Sequence, residues 1–210
     1  MEFGNIRYTG DVTKFVESKE DATEFISLNK DIDYIQDETF YKRFVKGCEK
    51  MDRQSPDYSI FVQWIKKIVG INFCQVSSSI YDTDATIEMH HGPIFTLFDI
   101  TSIILNDFIR TNKKINTLRI TDKVLDEHFK LRVQVIMLAV TNHEAAHNRD
   151  LFLNVRQGIG NISEFIDVYK DSLDDIHKYK IWNYINLCKD NDSFDTGYLD
   201  VKHISKVIKL

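Results

Sequence analysis

The feature that most constrains this fold is an uninterrupted apolar run, Val135-Ile-Met-Leu-Ala-Val140, followed after one threonine by Asn142-His143-Glu144-Ala145-Ala146-His147. With Gln134 ahead of it, the run is short and shows no helical period. It reads as a strand buried on both faces. The next segment reads as one or two helical turns, on which residues four apart share a face. The fold must therefore bury this strand and bring a histidine-bearing helix straight out of its end.

Around it the chain alternates between recognisable patterns. Phe40, Phe44, Val45 and Cys48 recur at helical spacing. Ser55-Pro56-Asp57 is a helix start, with serine as cap and proline in the first turn. Tyr58, Phe61, Val62, Ile65 and Ile68 follow on one face, and Gly70 closes that helix. Residues 71–91 suggest two strands with Asp82-Thr83-Asp84 as the turn between them. The second runs from Thr86 to His91 and is stopped by Gly92-Pro93. Phe95 to Arg110 returns to helical spacing. Thr121 is expected to cap a further helix through Phe129. Leu151 to Val155 reads as a short strand. Asn161 to Glu164 reads as a capping box that opens a helix through Tyr169, and Ile181 to Leu187 as a last helix.

The chain has 210 residues and a formal charge of −5, with three cysteines. The total charge does not mark a strongly basic nucleic-acid binder, but its distribution is uneven. Residues 1–40 carry four basic residues (Arg7, Lys14, Lys19 and Lys30) against ten acidic ones. Residues 41–70 and 105–132 lean basic, enough for a local face that could meet phosphate, or simply a solvated surface. Cys48, Cys74 and Cys188 lie far apart without CxxC spacing, and no signal peptide is apparent. A reduced, cytoplasmic setting is expected. No stretch is long and apolar enough to span a membrane; Ile94 to Ile109 is broken by Asp99, Asn106 and Asp107.

Four of the seven histidines fall in two tight groups, His90-His91 at a strand end and His143 with His147. Two imidazoles at i and i+4 can hold one divalent ion. A third ligand from a neighbouring strand would leave positions open for water or phosphate. The alternative is that these histidines pack in a core. Adjacent side chains on a regular strand point to opposite faces, so His90 and His91 can serve one site only if the strand twists or ends there.

The order strand, His-His, insert, strand, HxxxH resembles the ββα-metal core of HNH nucleases. The stretches IEMHHGPIFTLFDI (87–100), DEHFKLRVQVIMLAVTNHEAAHN (126–148) and GNISEFIDVY (160–169) are further similar to predicted HNH-like proteins of large tailed phages. The resemblance covers roughly residues 40–170. It implies an α+β fold: a ββα-metal core over residues 71–170 with a helical insert, a mainly helical N-terminal region over 1–70, and a C-terminal helical extension over 171–210. It implies His90, His143 and His147 as ligands of a divalent ion (Mg, Mn, Ni or Zn) and His91 as the general base. The asparagine that orients that base in HNH nucleases has no matching position, and Gln134 and His128 are the candidates for its role. Arg149 would clamp a phosphate or complement a helix end.

The resulting expectation is a metal-dependent endonuclease acting on nucleic acid, DNA above all, in the host cytoplasm, with no membrane contact. A protein partner could meet the acidic N-terminal region. The alternative is a degenerate HNH-like fold with a structural zinc that acts as a phage binding or virion protein.

Overall fold

The computed structural model describes residues 37–190, 199 and 201–207. Most of the acidic N-terminal region and residues 191–198 of the C-terminal extension lie outside the described residues. The architecture is α+β, mainly helical, with one two-stranded antiparallel sheet.

Helix α1 (Glu38–Gln54) starts at Asp37, whose carboxylate accepts from the Phe40 amide. It buries Phe44, Val45 and Cys48, the residues that recur at helical spacing. Ser55 caps α2 (Pro56–Trp64) as expected, accepting from the Tyr58 amide. The helix continues as a π-helical turn, Ile65–Val69, closed by Gly70 at φ 81°. An extra residue in that turn rotates the chain off the apolar face. Ile65 is therefore fully buried while Ile68, expected beside it, is 74% exposed.

Only one of the two strands expected in residues 71–91 forms. Residues 71–86 make turns with a single bridge between Phe73 and Tyr81. Strand β1 (Ile87–His91) pairs instead with distant β2 (Val135–Ala139), in the register Ile87 opposite Ala139 and His91 opposite Val135. All five β2 residues are buried, and its far edge is occupied. Gln75 bonds both the amide and the carbonyl of Met137, and Ile159 bridges Val135. Through Gln75 the 71–86 segment meets β2 on the side away from β1, so it does not pair with β1 as the expected hairpin would.

Between the strands run α3 (Leu97–Arg110) and α4 (Thr117–Phe129). Thr96 and Asp99 form a reciprocal capping box at the start of α3. The cap of α4 is Asn116 and not Thr121, which is fully buried inside the helix with its hydroxyl directed to the Cys48 carbonyl. An Asn five residues earlier satisfies the free amides, so the helix starts more than one turn sooner. Helices α1, α3 and α4 pack together behind the sheet around Ile100, Ile104, Ile120 and Leu125.

Helix α5 (Val140–Asn148) leaves β2 with no intervening loop. The strand expected over Leu151 to Val155 is absent. A 3₁₀ turn, Val155–Gln157, lies there, its chain bonded to the Gln134 amide and the Tyr184 hydroxyl. Helix α6 (Ile162–Tyr169) is capped by Asn161, while Glu164 turns away to Arg132 at 2.6 Å. Helix α7 (Asp175–Asp190) is anchored on α3 by Lys180 to Asp99 at 2.6 Å and His177 to Ser102 at 2.9 Å. A last helix, α8 (Val201–Val207), packs on α6.

Candidate metal centre

Alternation along β1 decides which histidine goes where. Ile87, Met89 and His91 face one side of the sheet, Glu88 and His90 the other. The α5 side is therefore where Glu88 and His90 meet His143 and His147. The ring centres of His90 lie 5.1 Å from His143 and 4.9 Å from His147, and those of His143 and His147 are 4.7 Å apart. One potential ligand atom from each of the three lies within 4.8 Å of the others.

The donor set suits a divalent ion. His143 Nδ1 sits 2.5 Å from a Glu88 carboxylate oxygen. With the proton held on Nδ1, its Nε2 lone pair is free, an arrangement that orients metal-bound imidazoles and raises their basicity. His143 Nε2 and His147 Nε2 are 3.1 Å apart. Bonds of 2.0–2.1 Å in a tetrahedron place two nitrogens about 3.3 Å apart, so little movement would admit an ion. His90 is buried, and its Nδ1 has no hydrogen-bond partner. Burial, with His143 and His147 alongside, lowers its pKa to about 4. Burial also lowers that of His147. Both are thus neutral, the form that ligates, at neutral pH.

His91 does not join the group. On the opposite face of β1 it is 4% exposed, stacked at 6.2 Å on Tyr58 and 2.9 Å from His128 Nε2. His128 Nδ1 is held 2.8 Å from the Val124 carbonyl, which places its proton there. Its Nε2 then accepts from His91 Nε2–H, and His91 Nδ1 is left buried and unpartnered. Burial holds both groups neutral, lowering His128 to about 4 and His91 well below its ordinary range. Gln134 is 2% exposed, its amide committed to the Val155 carbonyl at 2.5 Å. Arg149 caps α5 in a left-handed conformation, φ 67°, and is exposed.

Sequence reasoning brought together the three imidazoles but passed over Glu88. The signal was its spacing: two residues before His90 on a strand, hence on the same face.

The family is decided by a model described as Bacteriophage G278-like virion protein, which matches residues 6–209. The chain belongs to this family. Comparison with curated proteins and with solved structures found no match. The G278-like family is one of virion proteins and not of enzymes. That overturns the expectation of a metal-dependent endonuclease and, with it, the catalytic duties assigned to His91, Gln134 and His128. The phage setting implied by the resemblance agrees with the G278-like assignment. No helix among the described residues is long and apolar enough to cross a membrane.

Proposed function

We propose that this chain is a component of the phage particle whose His90, His143 and His147 hold a zinc ion as a structural staple. The match over residues 6–209 carries the virion assignment. The convergence of three imidazoles from β1 and α5, backed by Glu88, supports the ion. Of the metals expected, Mg²⁺ and Mn²⁺ favour oxygen donors, whereas an imidazole set suits Zn²⁺ or Ni²⁺.

A staple answers a need of this fold. Helix α5 buries none of its residues. It lacks the apolar stripe that docks most surface helices. An ion held by two of its side chains and one from β1 would tie it to the sheet, making binding energy into folding energy. The order β1, β2, α5, with α3 and α4 between the strands, supports kinship with the ββα-metal fold in a form that has left cleavage behind.

Mass spectrometry of purified particles tests the virion assignment, and absence of the chain from them would refute it. Metal analysis of the purified protein tests the ion. Zinc near one equivalent, with EDTA and His143→Ala each lowering the melting temperature, is expected. Metal-free protein whose melting is indifferent to added Zn²⁺ would refute the staple.

A further inference from the structure

A cleft of about 400 Å³ opens beside the histidine group. His90 is the member of that group that also lines it. Arg149 supplies a cation, and Pro93, Leu151, Phe152 and Leu187 give apolar walls. No acidic side chain is present in the lining. Among the described residues Arg149 makes no ion pair, so its charge is available. Phe152, one of the lining residues, is 57% exposed.

We propose that this cleft binds an apolar carboxylate, its charged end at Arg149 and the ion of the histidine group, its apolar body against Phe152 and Leu187. The inference rests on the metal reading above and names the ligand class of that site. Three histidines complete three of the four positions usual for zinc and leave one open. The volume is that of a small-molecule pocket. Arg149 is the lining's single cationic side chain, beside the neutral polar groups of Asn183 and Tyr184 and apolar walls, which favours a single negative charge on an apolar body over a phosphate that carries up to two. The same chemistry is offered by a free organic acid or by the terminal carboxylate of a polypeptide.

The protein loaded with Co²⁺ in place of zinc gives a visible spectrum that reports ligands entering the coordination sphere. It is titrated with acetate, hexanoate and inorganic phosphate, and with a short peptide ending in leucine. Hexanoate is expected to change the spectrum and to bind more tightly than acetate, by up to roughly 200-fold if its four further methylenes are fully buried. Arg149→Gln should weaken both acids, and Phe152→Ser hexanoate alone. Tighter binding of the peptide than of hexanoate would assign a polypeptide terminus, and the reverse a free acid. Equal affinity for acetate and hexanoate, preference for phosphate, or an unchanged spectrum with Co²⁺ bound would overturn the proposal while leaving the metal centre standing. Failure to bind Co²⁺ at all would refute the metal centre, and the proposal with it.

Discussion

The His91–His128 pair makes the stability of this protein depend on pH in a direction that can be worked out. Both imidazoles are buried against Tyr58 and Phe61. Burial disfavours their charged forms, so each is neutral in the folded state where an exposed histidine would titrate near 6.5. Between pH 6.5 and about 4 the unfolded chain binds protons that the folded one refuses. Stability is therefore full above pH 6.5 and declines as pH falls through about 4. For His128, lowered from 6.5 to about 4, the loss is about 3 kcal/mol. His91 moves in the same direction, and the two titrate as a pair. The double variant His91→Phe/His128→Leu removes both groups and keeps apolar bulk in place. Urea midpoints are measured for both proteins at pH 7 and pH 4, with EDTA throughout to exclude bound metal. The wild type should lose at least about 3 kcal/mol more than the variant, or upwards of roughly 1.5 M in midpoint at an m-value of about 2 kcal/mol/M. Parallel pH curves for the two proteins would refute the claim that these imidazoles are held neutral by burial.

Three further outcomes follow from other parts of the fold. Glu88→Ala should weaken zinc binding by about 10- to 100-fold with little change in the metal-free melting temperature, because it removes the group that orients His143; competition against a zinc-sensitive dye measures this. Gly160 has φ +105°, and an added Cβ would lie 2.1 Å from the Val133 carbonyl oxygen, so Gly160→Ala should cost about 3 kcal/mol or more in urea unfolding. Lys180→Ala leaves the 3%-exposed Asp99 without its cation. It should cost about 2 kcal/mol, below the range for a fully buried pair because Lys180 is partly exposed, whereas Lys178→Ala, whose contact to Asp175 is 3.9 Å on an exposed carboxylate, should be close to neutral.

Much of the local structure was legible before any tertiary contact. Ser55 and Asn161 are caps in the sequence and in the fold. Gly70 ends its helix by adopting the left-handed conformation that glycine tolerates. Each of these decisions is settled within a few residues by backbone amides that need a partner. The error over residues 71–86 lies where a distant element competes. Residues 71–86 carry a strand-like pattern, but the partner of β1 is 48 residues further on, and strand pattern alone does not name a partner.

The sequence by itself determined that a fully apolar strand runs directly into a helix bearing two histidines four apart. It also set the condition that His90 and His91 could share one site only if the strand twisted or ended at them, since successive side chains on a regular strand alternate. Only the tertiary structure decided which of the two faces that helix. Pairing β1 with β2 in the register His90 opposite Ile136 turns His90 and Glu88 toward α5 and leaves His91 in the core against His128. A shift of that register by one residue would exchange the two faces. Register depends on what the rest of the chain packs behind the sheet, which no local pattern contains.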